Sequence, residues 1–87
     1  MELEARLRAF AAFARRRSFS AAARELRISQ PAVSKHIADL ERETEVKLVE
    51  RRPRGGELTP AGEFLANHVL RAQALLAVAS GSWAASV

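Results

Sequence analysis

The chain has 87 residues, of which 48% are hydrophobic, and it carries a formal net charge of +4. This length folds as one small domain, and the hydrophobic share lies above that of disordered chains. Cysteine is absent and the two histidines lie in separate segments, so the sequence predicts no disulfide, no metal site and no cofactor. No apolar run approaches the ~20 residues that cross a bilayer, and residues 1–8 mix both charges, unlike a secretory signal. We therefore expect a cytoplasmic protein without a membrane partner.

The charges are unevenly distributed along the chain. Between Arg15 and Lys35 there are six basic residues and one acid, whereas five acids and two bases follow between Asp39 and Glu50. Such a polarity would orient the molecule on a polyanion. Solvated helix faces produce similar runs, so charge alone does not decide the function.

Residues 3–16 are predicted to form the first helix, because Leu3, Leu7, Phe10 and Ala14 recur at steps of four, three and four. Three arginines at 15–17 would end this helix, since cations are favourable at its C-terminus. These arginines would either contact phosphate or serve helix termination and solubility.

A short second helix is predicted over residues 21–26, with Ser18 or Ser20 as its N-cap. Residues 27–29 alone connect it to the next helix, and Ile28 is expected to be an apolar plug. Two helices joined by so short a turn form the helix-turn-helix pattern, which many proteins contain.

The third helix is predicted to begin after Ser29 and to continue to about Glu43. Ser29 is a suitable N-cap, and Pro31 falls in the first turn, where its missing N–H costs nothing.

Two sides of this third helix differ in chemistry. Val33, Ile37 and Leu40 share one apolar stripe. The predicted opposite side carries Gln30, Ser34 and Ala38, with Pro31 and Lys35 beside them. This side suits a groove of DNA, because glutamine can bond a base edge and small residues let the helix approach closely. Phosphates are favoured at the positive end of the helix dipole, so we interpret this element as a recognition helix.

A two-stranded hairpin is predicted from residues 46–49 and a return strand that begins at Leu58. Its tip is expected to be the basic sequence at 51–54, Arg-Arg-Pro-Arg. A basic hairpin after a helix-turn-helix is a wing, and an arginine at its tip can enter a narrow minor groove. The alternative is an ordinary hairpin that covers the core.

The last helix is predicted to run from Pro60 to about Ser80, with Thr59 as its N-cap. Gly62 costs this helix ~1 kcal/mol relative to alanine, which indicates close contact with another backbone. A helix this long and this poor in charge needs a second partner, so we expect a homodimer; a monomeric fragment separated from a partner domain is the alternative. The predicted dimerisation residues are Phe64, Leu65, His68, Val69, Ala72, Leu75 and Leu76.

Over about residues 3–65 the pattern resembles the N-terminal domain of LysR-type transcriptional regulators. The resemblance is carried by Leu7 and Phe10, the sequence Ser-Phe-Ser-Ala-Ala-Ala at 18–23 with Leu26, Ser-Gln-Pro-Ala-Val-Ser at 29–34, Ile37, Leu40-Glu41, Leu48, Arg51, Leu58-Thr59 and Ala61-Gly62.

This resemblance implies a mainly α fold, a winged helix-turn-helix of three helices and a two-stranded wing over residues 1–59. A linker or dimerisation helix and tail would occupy residues 60–87. In the family, the positions of Gln30, Pro31, Ser34 and Lys35 face the major groove, and that of Arg54 approaches the minor groove. Nearby basic or hydroxyl residues hold phosphates. The predicted DNA-binding set is Ser20, Ser29, Gln30, Pro31, Ser34, Lys35, His36, Arg51, Arg52 and Arg54.

The implied partner is double-stranded DNA with an interrupted inverted repeat near a bacterial promoter. A small-molecule effector would act only through a larger C-terminal domain, so this chain resembles an excised DNA-binding part. Arg17 and Glu45 stand where the family commonly has glycine, and each must either adopt a left-handed conformation or reshape its turn. Val49 replaces a usual phenylalanine under the wing.

Two other functions remain open at this stage. The apolar last helix could bind a different protein, with the winged part as scaffold. Single-stranded nucleic acid is disfavoured because most of the four phenylalanines are predicted in the core. An enzyme is not predicted, since neither histidine has a nucleophilic partner and no phosphate-binding glycine loop occurs.

Overall fold

A computed structural model describes residues 2–79, which form four helices and one two-stranded antiparallel sheet. In chain order the elements are α1 (Glu2–Arg16), α2 (Phe19–Leu26), α3 (Gln30–Thr44), β1 (Val49–Arg52), β2 (Gly55–Leu58) and α4 (Pro60–Ala79). The predicted winged helix-turn-helix followed by a long helix is therefore confirmed. None of the helices within residues 2–79 has both the length and the hydrophobicity to cross a bilayer.

The hydrophobic core lies between α1, α2 and α3, and the wing and the first half of α4 close it. Phe10 and Phe13 of α1 are fully buried, and the Phe13 ring lies 4.6 Å from the Phe19 ring between centroids. Each such aromatic side chain contributes ~1.5–3 kcal/mol on burial. The predicted apolar stripe of α3 is confirmed, with every member at most 2% exposed: Val33, Ile37 and Leu40. Leu3, at the beginning of α1, is 52% exposed and lies outside this core.

Serine hydroxyls begin both helices of the helix-turn-helix. Ser18 Oγ accepts a hydrogen bond from Ala21 N at 3.1 Å, so α2 begins at Phe19, two residues earlier than predicted. Ser29 Oγ accepts from Ala32 N at 3.1 Å, as predicted for the start of α3.

Three turns use a non-glycine residue in the left-handed conformation. Arg17 and Glu45 have φ values of 56° and 58°, so the left-handed alternative holds at both positions. Arg27 adopts φ 59° in the turn between α2 and α3, which sequence reasoning did not anticipate. The Ile28 N–H then donates to Ala23 O at 3.1 Å. The predicted apolar plug is wrong, because this turn leaves the Ile28 side chain at the surface, 38% exposed.

The wing is shorter and its tip tighter than predicted. β1 pairs with β2 so that Arg51 lies opposite Gly56 and Arg52 opposite Gly55. Both arginines are therefore strand residues, and the turn consists of residues 53 and 54. Val49, the first residue of β1, is fully buried on the core side of the wing.

The beginning of α4 is fixed against the chain segment before β1. Gly62 N donates to Thr59 Oγ1 at 3.0 Å, which confirms the predicted cap. A Cβ atom at Gly62 would lie 2.1 Å from the carbonyl oxygen of Leu48. The close backbone approach predicted from this glycine is therefore present.

The two halves of α4 have different surroundings. Ala66 is buried, and Leu65 and Leu70 pack against the core, so the first half belongs physically to the winged unit. Leu75 and Leu76 are exposed on the second half. The division at residue 59 stays a prediction, and residues 80–87 lie outside the described part of the chain.

Candidate nucleic-acid interface

An open concavity of about 610 Å³ separates the wing from the helix-turn-helix. We call this surface the concave face; it is lined by Ser18, Phe19, Ser20, Gln30, Pro31, Ser34, Arg51, Arg52, Pro53 and Gly55.

The first turn of α3 forms one edge of the concave face. Gln30 and Pro31 are exposed there, and Ser29 caps the helix from just outside the surface. First-turn N–H groups and the helix dipole make such an end favourable for an anion. The side-chain amide of Gln30 has both donors and an acceptor, which suits a base edge.

Arg51 connects the wing to both helices of the helix-turn-helix. Its Nη1 donates to Ser34 Oγ at 2.7 Å, and its Cζ lies 5.1 Å from the centroid of the Phe19 ring. Its Nη2 is also 3.9 Å from the Glu41 carboxylate. A cation above an aromatic ring gains ~0.5–1 kcal/mol at an exposed site, so these contacts together fix the angle between β1 and α3.

Glu41 attaches the end of α3 to the beginning of the wing. Its Oε2 accepts hydrogen bonds from Leu48 N at 2.8 Å and from Val49 N at 3.0 Å. Hydrogen bonds to a charged acceptor are the stronger class. No sequence signal predicts this contact, because the carboxylate and its donors belong to different elements.

The remaining wing cations differ in their freedom. Arg52 Nη2 lies 3.3 Å from the Glu57 carboxylate on the opposite strand. Arg54 is exposed in the turn, and within residues 2–79 it has no ion-pair partner. Arg54 is thus the wing cation most available to an external phosphate or groove.

Lys35 does not line the concave face, and its side chain is held on its own helix. Its Nζ lies 2.9 Å from Asp39 Oδ2. This hydrogen bond, together with one from Arg42, lowers the pKa of Asp39 although burial opposes the shift. The Lys35 side chain is 75% exposed, so it remains accessible to a phosphate.

The structure brings six of the ten predicted DNA-binding residues together on the concave face: Ser20, Gln30, Pro31, Ser34, Arg51 and Arg52. Ser29, Lys35 and Arg54 do not line it, although each is next in the chain to a residue that does. His36 lies in a different depression, with Ala5, Arg8 and Glu25 among its neighbours. Its side of α3 faces α1 and α2, because position 36 is about 160° around the helix from position 34.

The residues that sequence reasoning missed on this surface are Ser18, Phe19, Pro53 and Gly55. Phe19 carries an aromatic signal, but its second role beneath an arginine of the wing depends on a distant element. Gly55 has φ 92°, which marks the turn without revealing which surface it lines.

The arginines at 15–17 are engaged within the protein. Glu25 forms an ion pair with Arg15 and with Arg16, the latter at 3.0 Å. The hydrogen bond from Arg16 is the main cause that lowers the pKa of Glu25, and Arg15 adds to it against the effect of burial. Arg15 also donates to Gln73 Oε1 at 2.8 Å, and Arg17 Nε donates to Ala14 O at 3.0 Å. These contacts favour the helix-termination alternative over phosphate contact.

The predicted dimerisation residues are distributed over both halves of α4, and most of them are exposed. Phe64, Leu75 and Leu76 are 69%, 69% and 67% exposed, and the His68 ring lies 4.6 Å from the Phe64 ring. Ala72 is exposed, whereas Leu65 and Val69 are half-buried within their own chain. An apolar groove of about 520 Å³ also lies between α1 and α4 and is lined by residues that include Leu3, Leu7, Val69, Ala72 and Leu76.

The winged helix-turn-helix class is defined by two helices joined by a tight turn, the second of which exposes its polar side, and by a two-stranded hairpin beside them. Residues 5–63 match the family described as "Bacterial regulatory helix-turn-helix protein, lysR family". The chain belongs to this family.

Curated relatives with similar sequences are named as transcriptional regulators. The chain is 53% identical over 57 residues to the HTH-type transcriptional regulator BudR of Raoultella terrigena. The aligned residues cover 66% of this chain and 20% of BudR. It is 42% identical over 59 residues to the HTH-type transcriptional regulator CysL of Bacillus subtilis (strain 168), and this alignment covers 68% of this chain and 20% of CysL. The chain therefore spans about one fifth of the length of these relatives.

Solved structures with the same fold include two complexes with DNA. The BenM_DBD/catB site 1 DNA complex has a TM-score of 0.80 and 35% identity, and it covers 100% of this chain and 99% of that one. The CbnR_DBD–DNA complex has a TM-score of 0.80 and 34% identity, and the match covers 99% of this chain and 98% of that one.

Proposed function

We propose that this chain is the DNA-binding part of a bacterial transcription regulator and that it binds double-stranded DNA sequence-specifically. The observation that carries the proposal is the concave face, where the exposed first turn of α3 and the basic wing lie side by side. The solved DNA complexes of BenM_DBD and CbnR_DBD, which have the same fold, support it. In this proposal the chain is cytoplasmic and is not an enzyme.

The proposed binding mode places α3 in the major groove. Gln30 and Ser34 would contact base edges, while Ser20 on the concave face, and Ser29 and Lys35 beside it, would contact phosphate. Arg54 would approach the minor groove, because it extends from the turn without an ion-pair partner among residues 2–79. His36 contributes little in this mode, since it lies on the side of α3 that faces α1.

The test measures binding to a duplex selected from a random pool and to random-sequence duplex, by fluorescence anisotropy across a salt series. Gln30→Ala should reduce discrimination between the two by ~1–3 kcal/mol, the value of one good base contact. Arg54→Ala should weaken binding to both and make the salt dependence shallower by about 0.9 in the logarithmic slope. Arg71→Ala removes the same charge from the exposed side of α4. It should change neither the discrimination between the two duplexes nor the salt dependence of binding. Equal losses on both duplexes for Gln30→Ala would refute the assigned roles.

We further propose a homodimer through α4, which would place two α3 helices on an interrupted inverted repeat. The exposed apolar residues Leu75 and Leu76 support this arrangement, because a charged surface would be expected if solvent covered that side. Sedimentation equilibrium should show a dimer for the natural chain and a monomer for Leu76→Glu. Ala74→Glu places the same charge on the opposite side of α4 and should stay dimeric.

The interaction-module alternative rests on the same exposed leucines. If Leu76→Glu abolished capture of another protein while no variant bound duplex DNA with salt sensitivity, the winged part would be scaffold. A small-molecule effector belongs to the remainder of a full-length relative, and the proposal assigns no effector site to this chain.

A further inference from the structure

A serine hydroxyl by itself does not distinguish between base edges. It has one O–H donor and two acceptor lone pairs, and it rotates to suit its partner. A serine facing a groove can therefore accept from the amino group of adenine or cytosine, or donate to N7, O6 or O4. A protein cation that donates to one lone pair leaves the proton and one lone pair free, and it polarises the hydroxyl so that it becomes a stronger donor and a weaker acceptor.

Arg51 supplies such a contact to Ser34. Its Nη1 lies 2.7 Å from Ser34 Oγ, and a guanidinium has donors and no acceptor. The Ser34 oxygen must therefore accept this hydrogen bond. Within residues 2–79, Arg51 is the hydrogen-bond partner of the Ser34 hydroxyl, so the hydroxyl proton has no acceptor inside the described chain.

The guanidinium itself is held from several directions. The Phe19 ring lies beneath it at 5.1 Å, the Glu41 carboxylate is 3.9 Å away, and a second nitrogen is 3.5 Å from the Ser34 carbonyl oxygen. Arginine suits such a planar, stacked position better than lysine. Its orientation is therefore set by α2 and α3 together.

We propose that Arg51 is a positioning residue that makes Ser34 a hydrogen-bond donor, so that the chain reads an acceptor on a base edge at this position. The inference rests on the proposed DNA-binding function. Ser34 is half-buried and lines the concave face, so an acceptor on a base edge in the groove could supply the partner that its proton lacks among residues 2–79. An amino group at the same place on the DNA would have to donate to the one remaining lone pair, beside the positive charge of Arg51, and is therefore disfavoured.

This role differs from the direct DNA contact that the sequence predicts for Arg51. An arginine that bound phosphate would contribute equally to every duplex and would steepen the salt dependence. An arginine that orients Ser34 contributes to discrimination at one base. The two roles therefore differ in what a charge-conserving substitution does.

The first experiment locates the base that Ser34 reads on the selected duplex. Each purine is replaced by its 7-deaza analogue, each guanine also by 2-aminopurine, which lacks O6, and each thymine by an analogue without O4, so that every major-groove acceptor is removed in turn. Amino groups are removed in a parallel series. We expect an acceptor deletion that costs the natural chain about tenfold or more, the equivalent of one good base contact, and costs Ser34→Ala nothing further. A Ser34-dependent penalty on removal of an amino group, or no Ser34-dependent penalty at any base, would overturn the inference.

The second experiment tests the role of Arg51 with Arg51→Lys. Lysine keeps the charge, so binding to random-sequence duplex should stay within about twofold, while the acceptor-deletion penalty at the Ser34 base should fall below about threefold. Arg42→Lys makes the same change on α3 at an exposed side chain that pairs with Asp39 and not with Ser34, and it should retain the full penalty. An unchanged penalty in Arg51→Lys, or an equal loss on all duplexes with a shallower salt slope, would refute the positioning role.

Failure of the inference and failure of the proposed function give different results. A selection that returns no preferred duplex refutes the DNA-binding function, and the inference with it. A preferred duplex that is read without the acceptor pattern refutes the inference alone.

Discussion

Replacement of Glu41 by alanine is expected to loosen the attachment of the wing to α3. The Glu41 carboxylate accepts the N–H groups of Leu48 and Val49 at 2.8 and 3.0 Å. Both donor residues are at most 2% exposed, so water does not readily replace the lost acceptor. Glu41→Ala therefore leaves two backbone donors without a partner.

The magnitude follows from these two donors. A buried donor without a partner costs ~1–3 kcal/mol, so the loss of the acceptor for two donors should lower the free energy of unfolding by about 2–6 kcal/mol in Glu41→Ala. Glutamine can place its amide oxygen where Oε2 accepts both bonds, and it loses only the charge. Because charged acceptors exceed neutral ones by about 1 kcal/mol per bond, Glu41→Gln should lose about 1–2 kcal/mol.

Urea unfolding followed by circular dichroism gives both free energies, and hydrogen exchange gives the local effect. A domain of this size has a total stability of roughly 4–13 kcal/mol, and 1 kcal/mol corresponds to ~4–8 °C in Tm. Glu41→Ala should therefore lower Tm by about 8 °C or more, and the amides of Leu48 and Val49 should lose more protection than those of α1.

Glu50→Ala is the matched control, because it removes an exposed carboxylate from the wing and should change stability by less than about 0.5 kcal/mol. The reasoning is refuted if Glu41→Ala costs less than about 1 kcal/mol, or if glutamine and alanine at this position are equally destabilising.

Three further substitutions test other contacts. Gly62→Ala should destabilise by about 1–2 kcal/mol in urea unfolding, because a Cβ placed 2.1 Å from the Leu48 carbonyl oxygen costs more than the ~1 kcal/mol gained in helix propensity. Glu45→Gly should stabilise by about 0.5–1 kcal/mol, since glycine relieves the left-handed φ of 58° at the end of α3. Glu25→Gln should cost about 0.5 kcal/mol at neutral pH, and the difference from the natural chain should vanish in acid. The ion pair with Arg16 lowers the pKa of Glu25 in the folded chain, so its contribution is present above the unfolded pKa and is lost as pH falls through the folded value.

The first two predictions have control substitutions, and the third is checked by the sign of its pH dependence. Asn67→Ala, at an exposed position of α4, should raise stability by up to about 0.5 kcal/mol; a similar gain at Gly62 would contradict the clash. Glu45→Ala retains the strain, so an equal gain from alanine and glycine would show that charge removal is the cause. A Glu25→Gln difference that grew as the solution was acidified would have the wrong sign.

Much of this protein follows from local patterns in its sequence. The apolar stripe of Val33, Ile37 and Leu40 is confirmed, because helical periodicity determines which face a helix can bury. The caps at Ser29 and Thr59 are confirmed as well, since a side-chain oxygen and a first-turn N–H lie three residues apart in any helix. Gln30 and Ser34 are four residues apart on α3, so helical periodicity also places both on the concave face.

The tertiary structure alone decided how the elements act on one another. The carboxylate of Glu41 holds the wing, and Arg51 lies between the Phe19 ring and the Ser34 hydroxyl. These contacts join residues that are distant in the chain, and no periodicity encodes them. The left-handed Arg27 and the exposed Ile28 belong to the same class, because the path of a turn depends on the helices that it joins. Local chemistry therefore determined which helix presents polar groups to a groove, and packing between elements determined how those groups are aimed.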